Sequence, residues 1–320
     1  MRPSQSSPRF LGPGLRRRRR SGIALMTVLW VVAILSLAIF TATQFLYKEL
    51  ESSSNADAFF RAEQHADRGV AIAAHPDVRQ GDPLLSRQID SVSAFSARIE
   101  SEGSRLNLNA LLNPDDRIVL EELFYQWGLR SDDAARVVAH LIDWVDTDNT
   151  PSPNGAEASF YANLERFHHP PNRPLRDLDE ALLVSGFDLV AAANPQWRDS
   201  FTILSSGPLD ITWAPPELLA AACQSPLEAA RLFVTTRNGP DGMPGTPDDY
   251  PFTGVDEAID LLVVPENLQD TVGKRLATED PVRRIVSTGQ YGSMRVERSV
   301  TLRYSGRIGT ILRWSTRQLP

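Results

Sequence analysis

Residues 16–30 read Arg-Arg-Arg-Arg-Arg-Ser-Gly-Ile-Ala-Leu-Met-Thr-Val-Leu-Trp, and this junction of a basic cluster with an apolar run decides the fold. From Ile23 to Phe40 every residue is apolar or small, and the next charged residue is Lys48. Such a run is long enough to cross the hydrocarbon core of a bilayer, about 30 Å, as a helix. Because basic residues that flank a first span stay in the cytoplasm, the sequence predicts one span with the C-terminal part outside the cytoplasm.

Three interpretations of this segment compete. An ordinary secretory signal would be cut after the apolar run, where Thr41-Ala42-Thr43 offers only a poor small-x-small site, and its apolar core would be about 7 to 15 residues long. An uncleaved signal anchor accounts for the charges and the span, but it leaves the abrupt boundary between Gly22 and Ile23 unexplained. The third interpretation, cleavage on the cytoplasmic side between Gly22 and Ile23, accounts for every residue of the junction.

The junction Arg20-Ser21-Gly22-Ile23 resembles the type III signal of prepilin-like proteins. The resemblance implies that a prepilin peptidase cuts between Gly22 and Ile23, that the new N-terminus is methylated, and that the apolar segment remains as a membrane anchor and helical spine. Position five of the mature chain is then Thr27, where most such proteins carry a glutamate. This departure is typical of the K-type minor pseudopilins of the type II secretion system. The resemblance implies a position at the tip of the filament.

The charge balance of the chain depends on this cut. The leader 1–22 contains seven arginines and no acidic residue, so its removal leaves 320 − 22 = 298 residues and changes the formal charge from −7 to −14. An acidic ectodomain argues against nucleic-acid binding and is compatible with divalent cations or a basic partner. The single cysteine, Cys223, cannot form an intramolecular disulfide and is expected to be buried as a small hydrophobe.

The pattern downstream of the span predicts an α+β fold. No proline occurs between Ile23 and His75, which indicates one long helix of about 80 Å. An apolar stripe at three- and four-residue intervals should pack its second half on the globular part, through Leu46, Leu50, Phe59, Phe60, Ala66, Val70 and Ala73. Alternating residues at 95–100 and 294–304, and a β-rich run at 308–314, predict a small antiparallel sheet.

A long helix followed by such a sheet resembles the pilin fold, here with a large and mostly α-helical insertion. The predicted segments are a cleaved leader (1–22), a transmembrane spine (23–47), the rest of the helix with the first strands (48–109), the insertion (110–281) and C-terminal strands that complete the sheet (282–320).

The insertion contains a degenerate repeat that predicts two helix-hairpin bundles. The stretch from Leu106 to Asp115 is echoed from Leu209 to Leu219, and each copy leads into helical sequence and then an acidic loop. Leu106 and Leu108, flanked by asparagines, are expected in a short strand. Because such bundles bind DNA elsewhere but this insertion is acidic, a structural or protein-interaction role is favoured. The resemblance to the K-type family extends here, through Asn107-Leu-Asn, Asp143-Trp-Val-Asp and Asn154-Gly-Ala-Glu.

Two acidic loops are candidate cation sites. The first offers Asp143, Asp146, Asp148 and Glu157, and closely spaced carboxylates supply the hard oxygen ligands that Ca²⁺ needs. The family resemblance also implies calcium here, while a solvated turn in which Asp and Asn bond their own backbone is the alternative.

The second acidic loop is rich in Gly and Pro and offers Asp241, Asp248 and Asp249. A bound cation would order a loop that lacks regular structure, and a bare exposed loop is the alternative. The sequence therefore predicts Ca²⁺, as one or two ions.

No catalytic motif is present: the sequence has no Gly-x-Ser-x-Gly elbow, no His-Glu-x-x-His and no phosphate-binding loop. We therefore expect no enzyme activity. The resemblance implies a minor pseudopilin in the inner membrane with its C-terminal domain in the periplasm, which initiates and caps the pseudopilus tip for export of folded proteins across the outer membrane. Its implied partners are the I-type and J-type minor pseudopilins, the major pseudopilin and the prepilin peptidase. The alternatives are a signal-anchored periplasmic enzyme or binding protein, and a minor pilin of type IV pili.

Overall fold

The computed structural model describes residues 21–320, and the arginine cluster with most of the predicted leader lies outside the described residues. The chain divides into two compact units, of which the first ends at Asp57 and the second is Ala58–Pro320. Helix α1 spans Ser21–Ala73. Among the described helices, this one is long and apolar enough to cross a membrane, with a most apolar window of mean hydropathy 2.7 that has no buried residue. The long helix predicted from the sequence is therefore confirmed.

In the second unit, the part of α1 that packs on the sheet uses small residues. Its buried positions are Ala62, Ala66, Gly69, Val70 and Ala73. The prediction that Leu46, Leu50 and Phe60 belong to the packing stripe is wrong, because these side chains are 57%, 67% and 57% exposed. The reason is close approach: a Cβ placed on Gly289 of the sheet would overlap the backbone of α1 at Ala62 and Ala66. Only small side chains therefore fit where α1 passes Gly289.

The sheet joins strands that are far apart in sequence. Five antiparallel strands lie in the order β1-β2-β7-β8-β9, with the bounds β1 Ser86–Gln88, β2 Ser93–Ser101, β7 Val282–Tyr291, β8 Met294–Ser305 and β9 Ile308–Leu319. The central pair is β2 with β7, in which Phe95 lies opposite Gly289 and Ile99 lies opposite Ile285. The pilin-like α+β class is therefore confirmed, since one helix covers a sheet whose halves flank the insertion.

Arg298 on β8 fixes the second half of α1 to the sheet. Its Nε donates to Asp67 Oδ1 at 2.7 Å, and its Nη2 donates to Glu63 Oε1 at 2.8 Å. The same guanidinium lies over the ring of Trp314 on β9, 4.8 Å from the ring centroid. Because the Arg298 side chain is only 8% exposed, these two carboxylates compensate a charge that is largely removed from water.

The insertion consists of two repeats of similar element order, in agreement with the repeat in the sequence. Each begins and ends with short strands that pair in parallel, β3 with β4 and β5 with β6. The first repeat contains β3 Leu106–Asn107, α2 Leu108–Leu111, α3 Arg117–Gln126, α4 Ser131–Val145, α5 Ala158–Asn163, α6 Phe187–Ala193 and β4 Phe201–Thr202. The second contains β5 Leu209–Asp210, α7 Pro216–Cys223, α8 Leu227–Arg237, α9 Val255–Leu261, α10 Gln269–Arg275 and β6 Leu276–Ala277.

The two repeats of the insertion share one hydrophobic core, which includes Leu123 and Phe124 of the first repeat and Leu219 and Phe233 of the second. The expected strand at 106–108 is shorter than predicted. Helix α2 already begins at Leu108, because the Asn107 side chain accepts a hydrogen bond from Ala110 N and caps it.

Several helices of the insertion end in Schellman motifs, in which the residue after the C-cap adopts a left-handed conformation. After α3 this position is Gly128, but after α9 it is Val263, with φ 56°. The motif after α9 is complete, because Val263 N donates to Asp260 O and Val264 N donates to Ile259 O. A β-branched residue is unfavourable in this region by about 1–2 kcal/mol.

We expect the substitution Val263→Gly to stabilise the protein by about 0.5–1 kcal/mol. Glycine removes the left-handed strain, and part of that gain is lost to the greater entropy of the unfolded chain. Little packing is lost, because the side chain is 64% exposed. Chemical unfolding of the full chain in detergent measures the change. Leu261→Gly, inside the last turn of the same helix, is the matched control and should destabilise; stabilisation by neither variant would contradict the role given to Val263.

Candidate metal centre

Helix α4 places the first carboxylate of the site. Asp143 lies in the last turn of α4 and is fully buried. A negative charge is unfavourable at this end of a helix, where the unpaired carbonyl groups already carry partial negative charge. The Asp143 carboxylate accepts hydrogen bonds from Ser152 N, at 3.2 Å to Oδ1 and 3.1 Å to Oδ2. One backbone amide does not offset that cost, so the position of Asp143 itself indicates a positively charged partner.

The loop after α4 returns two further carboxylates to Asp143. Oxygen atoms of Asp143, Asp146 and Glu157 all lie within 4.8 Å of one another. Glu157 is 2% exposed, and neither of its carboxylate oxygens has a hydrogen-bond partner among the described residues. Asp146 Oδ1 is likewise buried without a partner in that part of the chain. Three converging carboxylates, two of which have unsatisfied oxygens, are costly by themselves and fit a cation.

The same crowding raises the pKa values of two of these groups. Burial, followed by the charges of Asp146, Asp143 and Asp148, raises the pKa of Glu157 to about 7. Burial is also the largest cause of the raised pKa of Asp146, with Asp148 and Asp143 adding to it. These shifts reflect the cost of burying negative charges close together.

The donor set matches a hard cation such as Ca²⁺. Three carboxylates provide between three and six of the six to eight oxygen ligands that calcium takes, and loop carbonyl groups or water complete the number. The cluster contains neither the nitrogen nor the sulfur ligands typical of a structural zinc site. Asp143, Asp146 and Glu157 would hold the ion, and its charge would offset the repulsion among them.

The cluster contains three of the four acids that the sequence predicts as ligands in this loop. Asp148 lies outside the cluster, and its Oδ1 accepts a hydrogen bond from Thr150 N at 2.7 Å. An acid two residues beyond Asp146 can stabilise its own turn in this way, which the sequence spacing could not distinguish from a ligand. Its charge still raises the pKa of Glu157.

Sequence reasoning missed two residues that shape the site. Gly155 packs against Asp143 so closely that a Cβ would overlap the carboxylate. Asn172 approaches the loop from a distant part of the chain: its Nδ2 donates to the carbonyl of Asp148 and, at 3.2 Å, to Asn149 Oδ1. The motif Asn-Gly-Ala-Glu drew attention to the glycine, but no local pattern indicates a contact across 23 residues.

The three acids of the second loop, Asp241, Asp248 and Asp249, bind their own loop. Asp241 Oδ1 accepts from Met243 N at 2.7 Å, Asp248 Oδ2 from Asp241 N at 3.1 Å, and Asp249 Oδ2 from Gly245 N at 2.6 Å. They do not form a cluster with three convergent oxygens in the described structure. The second cation remains a prediction, and the geometry supports it less than the first.

A pH dependence follows from the raised pKa of Glu157. When a chelator has removed cations, the folded protein keeps a proton on Glu157 up to its raised pKa of about 7, whereas the unfolded chain loses this proton near pH 4.5. This contribution to stability is therefore fully present below 4.5 and is lost as the pH rises through about 7. We expect the urea midpoint of the chelated protein to fall between pH 5 and pH 8.

The Glu157→Gln variant should show less of this fall, because its side chain does not titrate, while Glu266→Gln on the exposed surface of the insertion should keep the wild-type profile. An unchanged profile in Glu157→Gln would show that other groups cause the dependence.

Comparisons with known proteins agree with this fold and this insertion. The sequence model for protein K of the type II secretion system matches residues 104–194, which include the whole cation site. Type II secretion system protein K of Pseudomonas aeruginosa is 25% identical over 250 residues, which cover 69% of this chain and 73% of the relative. The chain is thus similar to protein K of the type II secretion system over most of its length. Type II secretion system protein K of Pectobacterium carotovorum is 24% identical over 205 residues, 54% of this chain and 60% of its own length.

The fold of this chain has a counterpart among solved structures. A chain in the crystal structure of the GspK-GspI-GspJ complex from enterotoxigenic Escherichia coli matches 87% of this chain and 99% of its own length, with a TM-score of 0.60 and 16% identity. The fold is therefore shared along almost the entire solved chain. The resemblance to the K-type minor pseudopilins, noted above from the junction and Thr27, is confirmed by these similarities.

Proposed function

We propose that this chain is a K-type minor pseudopilin that is anchored in the inner membrane by α1, carries residues 58–320 in the periplasm, and caps the tip of a pseudopilus with I-type and J-type minor pseudopilins. The observation that carries the proposal is α1 itself. One helix begins as an apolar run able to cross a bilayer and ends as the element that packs on a pilin-like sheet. A subunit of this kind can leave the membrane with its helix intact, because the helix satisfies its own backbone hydrogen bonds in both environments.

The position of Thr27 supports a place at the tip. In α1 its hydroxyl donates to Ala24 O at 2.9 Å, so it needs no partner from another chain. A carboxylate at this depth in the bilayer would cost about 2.5–3.5 kcal/mol unless it paired with a neighbouring subunit. A subunit with Thr27 therefore does not need a neighbour above it. Assembly onto the major pseudopilin below would follow cleavage by the prepilin peptidase between Gly22 and Ile23 and methylation of the new N-terminus.

We also propose that Ca²⁺ binds Asp143, Asp146 and Glu157 as a structural ion. The buried, unpartnered oxygens of Glu157 support this assignment. The ion would supply positive charge and fix the loop between α4 and α5. Calorimetric titration that counts ions per chain would decide between one and two sites.

The variant Gly22→Asp tests the proposed processing. We expect it to abolish both cleavage and secretion, because a charged residue replaces the glycine at the cut. Intact mass of the membrane-extracted protein from its native host is the measurement, and wild type should match Ile23 onward plus one methyl group only when the peptidase is present. Ser53→Asp, which adds the same charge to an exposed position of the helix, is the control and should be processed normally. Normal secretion by Gly22→Asp, or a mass corresponding to cleavage beyond Phe40, would overturn the processing scheme.

A further inference from the structure

A groove of about 550 Å³ lies between α1 and the β1 edge of the sheet, away from the cation site. Two of its lining residues come from α1, one from β2, and the others from β1 and the segments on either side of it: Arg68, Ile72, Phe95, Leu84, Arg87 and Ile89. All belong to the second compact unit. The groove is therefore a feature of the pilin-like domain and not of the insertion.

The surface of this groove is apolar where it is accessible. Leu84 is 59% exposed and Ile89 is 38% exposed, while Phe95 is buried beneath them at 3%. Val92, next to this edge of the sheet, is 45% exposed. Neighbouring apolar side chains of this kind on a soluble domain typically mark an interaction surface.

Two arginines, Arg68 and Arg87, line the groove. Among the described residues, neither Arg68 nor Arg87 makes a hydrogen bond or an ion pair. The nearby acids are turned toward their own backbone: Asp82 Oδ1 accepts from Leu84 N, and Asp90 Oδ1 accepts from Val92 N, each at 2.8 Å. The groove thus presents two unneutralised positive charges on an ectodomain that is acidic as a whole.

A molecule that binds in this groove has to match its apolar walls and its two unpaired guanidinium groups. It must present apolar side chains together with carboxylates, because each arginine can hold a carboxylate through two parallel hydrogen bonds. Helix α1 shows what such a segment looks like in a pilin-like subunit, since residues 48–67 carry five acidic residues and only two basic ones among apolar positions. An acidic amphipathic helix therefore fits the groove in both charge and polarity.

We propose that this groove docks the acidic, amphipathic helix of a neighbouring minor pseudopilin, at the part of that helix outside the membrane. The proposal rests on the proposed function, because it requires assembly with pilin-like partners. Beyond the proposed function, it specifies which surface of this chain makes the contact and which side-chain chemistry the contact uses. The apolar contacts would exclude water, and the two arginines would set the position of the helix along the groove.

Photo-cross-linking tests the contact with the full chain in the membrane. A benzophenone amino acid replaces Leu84 in cells that also produce the I-type and J-type minor pseudopilins, and the adduct is mapped by mass spectrometry. We expect a heterodimer whose cross-linked peptide lies in the helix of one partner beside Asp or Glu residues. The same amino acid at Ile311, exposed on the opposite edge strand β9, is the matched control and should give at least tenfold less of this adduct.

Charge reversal tests the arginines. The double variant Arg68→Glu/Arg87→Glu should reduce the adduct at least tenfold, and the milder Arg68→Gln/Arg87→Gln should reduce it less, while both keep the wild-type melting temperature. Arg295→Glu, which reverses another exposed arginine on β8 outside the groove, should change nothing. Reversing the cross-linked carboxylate of the partner to lysine should restore the adduct in the Glu variant.

The outcomes separate this inference from the proposed function. If the wild-type chain co-purifies with the two partners but position 84 gives no adduct, the groove is wrong and the proposed function stands. An adduct between two copies of this chain, or one unaffected by charge reversal, also overturns the groove. If the wild-type chain does not co-purify with these partners at all, the proposed function itself fails.

Discussion

Replacing Gly289 by valine is expected to lower the free energy of unfolding of the pilin-like domain by about 3 kcal/mol. Phe95 lies opposite this glycine on the neighbouring strand, and α1 lies against its face. A Cβ there would overlap backbone atoms of Ala62 and Ala66, which cannot rotate away as a side chain could. Helix and sheet would therefore have to separate, with loss of packing along the whole contact. Urea unfolding of the full chain in detergent measures the loss.

Gly309→Val is the matched control for this prediction. It adds the same side chain to a strand of the same sheet, but the atoms nearest to its Cβ belong to the side chain of Tyr304, at 3.3 Å or more. A side chain can move by that small amount, so we expect a change below about 1 kcal/mol. If the two variants lost similar stability, the close approach of α1 would not be what makes Gly289 necessary.

The second large effect is expected at the candidate cation site, where Gly155→Ala should weaken calcium binding about 10- to 100-fold. The added methyl group would overlap the Asp143 carboxylate and displace one of the three proposed ligands. At calcium concentrations 100 times the wild-type Kd, bound ion stabilises the wild-type protein by about 2.7 kcal/mol, and most of that stabilisation should be absent in the variant. The melting temperature with calcium and with chelator measures the difference.

Gly254→Ala controls for adding a methyl group to a glycine in the other acidic loop. It has an extended backbone, with φ 178°, and open space where the Cβ would lie. Its calcium response should therefore equal that of wild type. A wild-type response in Gly155→Ala as well would mean that the ion, if bound, does not depend on Asp143.

The parts of the fold that were predictable from sequence are those with a regular period or a composition boundary. The span and its continuation as a helix were visible because no proline or charge interrupts them early. The strand around Phe95 was visible through alternation, as was β8. By contrast, the apolar stripe misplaced Phe60, because hydrophobic spacing does not report how closely a partner element approaches.

The same limit applies to the candidate cation site. Its acidic residues could be selected from one loop because ligands of this kind are close in sequence. The exclusion of Asp148 depended on which side chain satisfied its own turn, and the contribution of Asn172 depended on a contact between segments far apart in the chain. Neither leaves a local pattern.

The sequence by itself determined where the apolar run begins, at Ile23, the class of fold, the internal repeat of the insertion and the loop that could hold a cation. These depend on local composition and spacing, which act through helix period, strand alternation and the solvation of charge. Only the tertiary structure decided which carboxylates meet, which face of α1 is buried and that Arg68 and Arg87 share an unpartnered groove. The physical reason is that burial and charge pairing depend on distances between residues remote in sequence, and these distances exist only once the sheet and helices have packed.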